Sequence, residues 1–296
     1  MTGVLWAAAA GIGFGLFQSA NRAALRGMDV YASTFLQLLV SVVILGLVAL
    51  ATEDLGRLAA APTAALGWFA AAGLVHFFVG WTLLNLSQAR LGAARTSPLL
   101  ATTPLFGIVV AAATLHELPG VRALLGIALI VAGVYAVELD RLRRERPGPP
   151  VPGAGWTASL FGLGTALCWA VSPILIRKGL DGLPSPLLGL TIGLVAATIA
   201  CGLALTPARR RPPLARQAMA WKLVAGTLVG VSTWARWYAV ALVPVAVVLG
   251  LGLLSVPTVL AVAPLLVGRH EERVTPAVVA GSALVVAGAL VVIAGP

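Results

Sequence analysis

The chain has 296 residues, of which 59% are hydrophobic and only 10% charged, with a mean hydropathy of +0.99. A soluble domain carries charge on about a quarter of its residues, so this composition excludes a water-dissolved globule and places the chain in a bilayer. The net charge of +10 and the pI near 11.2 would point to nucleic acid in a soluble protein; here they reflect the arginine that collects in membrane loops, and no nucleic-acid partner is expected.

Apolar stretches of about 20 residues, the length that crosses ~30 Å of hydrocarbon, recur ten times. They cover residues 3–25, 30–51, 63–89, 91–115, 119–138, 155–178, 184–206, 217–241, 244–268 and 274–294. Unbroken apolar runs without period-two alternation are helices rather than barrel strands, so the predicted fold class is an all-α membrane protein with ten transmembrane helices. No basic region precedes the first span, which is therefore expected to be retained rather than cleaved as a signal peptide.

Span 1 carries Gln18 and Asn21, three residues apart on one face and suited to a cavity mouth, with Arg22 near its end. Span 3 has His76 at its centre, and an ionisable group at that depth is a functional-site candidate by default. Two readings stand open: a neutral imidazole bonded to a neighbouring helix, or a substrate ligand or proton carrier. On the same face Trp81, Asn85 and Gln88 form a polar-aromatic stripe. It should face the interior, because lipid would leave its polar groups unpaired. Ligand binding and helix-to-helix hydrogen bonding both fit it.

Span 4 brings Arg95, Pro98 and Pro104, span 6 brings Trp169, Ser172 and Pro173, and span 9 brings Pro257 and Pro264. Span 8 carries Trp234, Arg236, Trp237 and Tyr238, which suit either a pocket wall or an interfacial belt. Arginines such as Arg95 and Arg236 either snorkel to the headgroups or, turned inward, grip a carboxylate or phosphate with a planar fork. Pro98, Pro104, Pro173 and Pro257 are hinge candidates, since each removes a helical hydrogen bond. Cys168 and Cys201 lie inside spans and suggest neither a disulfide nor a metal site.

The stretch LGIALIVAGVYAV at Leu125–Val137 returns as AGSALVVAGALVV at Ala280–Val292, with seven of thirteen positions identical, including the pairs Gly126/Gly281 and Gly133/Gly288. Trp81/Trp234, Pro104/Pro257, His116-Glu117/His270-Glu271 and Phe14-Gly15…Arg22/Trp169-Ala170…Arg177 fall at nearly the same offset. The chain thus reads as one module written twice: 1–138, a linker at 139–154 rich in charge and proline, and 155–296. Five spans per module make the second enter from the opposite face, an inverted-topology repeat. About fifteen of the twenty Lys and Arg residues, Lys222 among them, are counted to the loops and helix ends on one face. That bias puts this face in the cytoplasm and both termini outside.

Phe14-Gly15…Arg22, Trp169-Ala170…Arg177, Pro104…Glu117…GIALIVAGV and Pro257…Glu271/Glu272…GSALVVAGA together resemble the ten-helix EamA-type members of the drug/metabolite transporter superfamily, over essentially the whole chain. The resemblance implies secondary transport of a small organic solute, often export of amino acids or other metabolites. It implies a cavity lined by helices 1, 3, 4, 6, 8 and 9, with 5 and 10 as scaffold. Family members carry both termini in the cytoplasm, opposite to the charge count. The membrane-embedded glutamate of the small four-helix relatives is absent from span 1.

All ten carboxylates fall at helix ends or in loops, which disfavours a drug-cation antiporter. Glu117 and Glu271/Glu272 are read as acids that open the helices at Pro119 and Pro276, with gating as the alternative. No metal-spaced cluster, nucleophile set or glycine-rich nucleotide loop is legible, so neither an enzyme nor a cofactor is expected. The leading expectation is an alternating-access carrier, exporting an amino acid or similar zwitterion or anion across a prokaryotic inner membrane. Gln18, Asn21, His76, Trp81, Asn85, Arg95, Trp169, Ser172, Trp234, Arg236 and Tyr238 are its substrate-binding candidates, with His76 as the proton-coupling candidate. A flippase for a phosphate-bearing lipid-linked substrate, or a non-transporting membrane binding protein, are the alternatives. Its expected partners are a small-molecule substrate and the lipid bilayer, and a homodimer is compatible with the reading.

Overall fold

The computed structural model describes residues 2–107, 110, 120–144, 156–205, 215–243, 248 and 251–293. The expectations on His116, Glu117 and Pro119, and on most of the 139–154 linker, lie outside these residues. Every regular element among the described residues is helical. In chain order they are α1 (Thr2–Leu25), α2 (Val30–Thr52), the short α3 (Gly56–Ala59), α4 (Thr63–Gly73), a π-helical turn (Leu74–Val79), α5 (Gly80–Leu91) and α6 (Ala93–Leu100). There follow α7 (Val121–Arg144), α8 (Trp156–Gly182), α9 (Pro186–Leu205), α10 (Arg216–Leu242), α11 (Ser255–Val267) and α12 (Pro276–Ile293).

Among the described residues five helical stretches are long and apolar enough to cross a bilayer: Thr2–Leu25, Val30–Thr52, Thr63–Leu91, Trp156–Gly182 and Pro186–Ala204. Leu124–Val137, Ser255–Val267 and Pro276–Val291 are shorter apolar helices. α10 has the length, at 27 residues, but carries Lys222 and Arg236 within it. The lipid-facing surface is visible as leucine and isoleucine left exposed on α2 and α9, such as Leu47, Leu50, Ile199 and Leu203. In a bilayer such side chains need no further cover.

Local sequence sets the boundaries. Asp29 caps α2, its Oδ2 accepting from the Tyr31 and Ala32 amides at 2.9 and 3.1 Å. At the corresponding place in the second half Ser185 caps α9, its Oγ accepting from the Leu188 amide at 3.2 Å, and Pro186 takes the first helical position. The Ser185 hydroxyl also donates to Glu53 Oε2 at 2.9 Å, tying the end of α2 to the start of α9. Gly92 (φ 81°) breaks α5 from α6 and Gly268 (φ 106°) ends α11, both in backbone conformations that L side chains rarely adopt.

Two expected spans are not continuous helices. Span 4 breaks after α6 at Ala101–Thr102 and resumes at residues 103–107; span 9 turns at Leu253–Leu254 before α11. Pro104 and Pro257 therefore sit in the first turn of the helix that follows each break, where the missing N–H costs nothing, and they do not kink a helix interior. Pro98 and Pro173 do lie inside helices, α6 and α8.

The packing is reciprocal between the halves. α1 lies along α10 and the α4–π–α5 rod along α8, while α2 meets α10 and α9 meets α4. α2 also contacts α9, and α7 contacts α12. Close approaches give the directions. A Cβ on Gly3 would meet Val243 and one on Gly27 would meet Ala218, so α1 and α10 are antiparallel. One on Gly182 would meet Ala65 and one on Gly164 would meet Leu83, so α8 and the α4–α5 rod are antiparallel too. In the α7–α12 pair a Cβ on Gly133 would lie 2.5 Å from the Gly281 carbonyl, and one on Gly288 2.6 Å from the Gly126 carbonyl. The glycines that mark the repeated stretch are thus the places where its two copies touch, running in opposite directions.

Candidate functional site

α1 can be read as a ruler through the bundle, at 1.5 Å per residue. Its residues 7–14 line a cavity, Phe14 and Phe17 belong to an aromatic layer, Gln18 and Asn21 to a buried polar cluster, and Arg22 and Arg26 to ion pairs. The α4–α5 rod follows the same order with His76, Trp81, Asn85 and Gln88, and then Gly92. α10 repeats it antiparallel, from Arg236 to Lys222.

The cavity, of about 90 Å³, has room for several water molecules or one small solute. Its walls come from both halves of the chain. The two helix breaks supply Ala101, Thr103 and Pro104 on one side and Gly252, Leu253 and Ser255 on the other. Polar side chains are few: His76, Thr103, Ser232, Thr233, Arg236 and Ser255. Arg236 makes no hydrogen bond or ion pair among the described residues and is half-buried at the wall, a cation with donors to spare.

The π-helical turn presents His76. Its Nδ1 lies 2.7 Å from Ser172 Oγ, and its ring stacks on Trp169 with centroids 5.5 Å apart. The turn loosens the backbone ladder, and α8 satisfies the freed carbonyls: Trp169 Nε1 donates to the His76 carbonyl and Thr165 Oγ1 to that of Gly80, both at 3.3 Å. Ser172 is fully buried and holds His76 rather than facing the cavity. Pro173, the next residue, removes an amide from α8 beside this contact.

Below the cavity Phe14, Phe17, Phe77, Trp81 and Trp169 form a continuous ring layer, with neighbouring centroids 4.9–6.5 Å apart. Beneath it lies the polar cluster. Asn21 Nδ2 donates to Asn85 Oδ1 (2.6 Å) and Gln88 Oε1 (2.7 Å), Asn85 Nδ2 to Thr34 Oγ1 (2.8 Å), and Gln88 Nε2 to Gln18 Oε1 (3.3 Å). Lys222 sits at its centre, fully buried, donating to Asn21 Oδ1 and to Gln37 Oε1 at 2.7 Å. The loop and helix-end placement read for Lys222 from the sequence is thus corrected: this ammonium is inside the bundle.

The last layer closes the arginine-rich face. Glu272, 1% exposed, accepts from Arg22 Nε at 2.9 Å and from the Ala93 and Ala94 amides at 3.0 and 2.9 Å. It caps α6 rather than opening α12, correcting the sequence reading; α12 is capped by Thr275, whose Oγ1 accepts from the Val278 amide at 3.2 Å. Arg26 pairs with Glu271 at 2.8 Å and donates to the Val267 carbonyl at the end of α11.

Of the sequence candidates, His76, Trp169 and Arg236 line the cavity. Gln18, Asn21, Trp81 and Asn85 lie below it in the ring layer and the cluster. Arg95 is on the first turn of α6, outside the cavity lining, and Trp234 and Tyr238 pack on Trp6, with Tyr238 45% exposed. Sequence reasoning missed Lys222, Gln37 and Thr34. Their signal was present: Ser33, Thr34, Gln37 and Ser41 make a polar face along the otherwise apolar α2, and Lys222 falls within span 8.

Residues 1–139 match the model of the EamA-like transporter family, which bears out the resemblance read from the motifs over that part of the chain. No curated protein matches the chain. A solved crystal structure of a protein, 16% identical, is similar over 96% of this chain and 95% of its own, with a TM-score of 0.62, a likeness of fold alone. The chain is a multi-pass membrane protein of the transporter kind.

Proposed function

We propose that the protein is a secondary carrier that moves a small organic metabolite, an amino acid or a similar zwitterion or anion, by alternating access, in the direction of export. The observation that carries this is the cavity itself: two helices, one from each half, break at corresponding places and converge on it beside Arg236, which has no partner among the described residues. A planar guanidinium without a counter-ion selects a carboxylate, the rings of Trp169 and Phe14 take an apolar side chain, and His76, Ser232 and Thr233 supply hydrogen bonds. The modules 1–138 and 155–296 are read as two inverted five-helix repeats. Their reciprocal packing and the antiparallel α1–α10, α8–α5 and α7–α12 pairs support ten crossings in opposite senses. Exchange then needs the ring layer and the Glu272 contacts to part while the cavity seals.

The flippase reading has the arginines grip a phosphate headgroup; Arg236 lines the cavity and Arg95 does not, so a single cation favours a carboxylate, and the cavity weighs against a non-transporting scaffold. Reconstitution in liposomes tests the proposal. Saturable uptake of carboxylate-bearing metabolites is expected, with Arg236→Gln raising KM for them roughly tenfold or more, the weight of one charge-assisted bond in a desolvated site. Absence of saturable flux across a broad metabolite panel refutes it.

A further inference from the structure

We propose that the polar cluster around Lys222 is a second binding station, for a small monoanionic carboxylate, separated from the cavity by the aromatic layer. Lys222 is fully buried, and no acid pairs with it among the described residues; its two partners are the neutral carbonyls of Asn21 and Gln37. An ammonium has three protons, so one lacks an acceptor. Two further buried donors in the same cluster are also unpaired, Gln18 Nε2 and Gln37 Nε2. The cluster therefore holds one unbalanced positive charge and surplus donors contributed by α1, α2 and α10.

A buried ammonium without a counter-charge is strongly unfavourable, and a ligand that brings one negative charge and several acceptor lone pairs would complete this cluster. A carboxylate brings both, with two oxygens that accept about four hydrogen bonds. A phosphate dianion would overcompensate a single ammonium, and a neutral amide would leave the charge unbalanced. Along α10, Lys222 lies fourteen residues from Arg236, on the order of 20 Å at helical rise, with the ring layer between. On the carrier reading, which this placement extends, a carboxylate bound first at Arg236 passes to Lys222 when the aromatic layer opens.

The test is thermal unfolding of the purified full-length protein in detergent, titrated with sodium acetate over a constant chloride background, with acetamide, methylammonium and inorganic phosphate as comparisons. Acetate should raise the Tm in a saturable way, and the three comparison solutes should not. Lys222→Gln, which keeps a donor for Asn21 and Gln37 but no charge, should weaken the acetate response about tenfold or more. Gln18→Leu, which removes an unpaired donor together with the acceptor of Gln88 Nε2, should weaken it severalfold at a lower starting Tm, and Arg236→Gln should leave a response. An acetate response equal in Lys222→Gln and the parent, or none in the parent, overturns the proposal. A response lost in Arg236→Gln but kept in Lys222→Gln assigns the anion to the cavity alone, overturning the second station and leaving the carrier reading intact. Acetate binding without any metabolite flux in liposomes has the reverse meaning.

Discussion

Glu272→Gln should open the arginine-rich face. Glu272 joins three pieces of chain: the end of α1 through Arg22, the start of α6 through two amides, and the turn after α11 to which it belongs. Breaking a buried ion pair costs about 3–5 kcal/mol. Arg22 keeps 14% of its side chain exposed, so some hydration remains and ~2–4 kcal/mol is the better figure. The exposed Arg26–Glu271 pair adds at most about 1 kcal/mol. At about 1.4 kcal/mol per tenfold, the population open on that face should grow roughly 30- to 700-fold. The readout is labelling of Gln18→Cys, in a background with Cys168 and Cys201 replaced, by an impermeant maleimide added separately to each face of proteoliposomes. Labelling from the arginine-rich face should accelerate at least about tenfold and should be unchanged from the other. If the rate from that face stays the same while the Tm falls, Glu272 is a capping residue with no part in closure.

Gly73→Ala should be among the most damaging small changes, because a Cβ there runs into the Gly193 backbone, whereas Gly46→Ala meets nothing within 4 Å and should be neutral or stabilising by up to about 1 kcal/mol; paired melts check this. Ser172→Ala should loosen His76 by removing its 2.7 Å partner, lowering carboxylate flux severalfold without unfolding the protein. His76→Ala tests proton coupling: flux that keeps the parent's response to a pH gradient eliminates His76 as the carrier of protons.

Much of the fold was legible because apolar length and the repeated LGIALIVAGV series are one-dimensional signals. The boundaries of α1, α2 and α9 fall within two residues of those expected. What the sequence hid was discontinuity. The π-helical turn at Leu74–Val79 and the breaks at Ala101–Thr102 and Leu253–Leu254 lie in stretches read as unbroken apolar spans; at the turn the His76 and Gly80 carbonyls accept from α8, and at the first break the Thr102 and Thr103 hydroxyls donate to the Leu99 and Leu100 carbonyls. Lys222 was hidden for a related reason. Proximity to the end of a span usually marks a snorkelling cation, and only the amides of α1 and α2, distant in sequence, turn it inward. Conversely His76 could be singled out from the sequence because an ionisable group at mid-depth is a candidate by default, whereas Arg236 and Trp169, which also line the cavity, carried no signal that separated a pocket wall from an interfacial or packing role.

The backbone-to-backbone seam of α7 and α12 has a mechanical consequence. At its glycines the two backbones approach too closely for a Cβ, while Ile130, Val134, Val285 and Ala289 interlock between them, so the seam is tight along its length. Gly133, Gly281 and Gly288 thus set one fixed separation for the pair that joins the ends of the two halves, and a bulky side chain at any of the three would have to push the helices apart, as at Gly73.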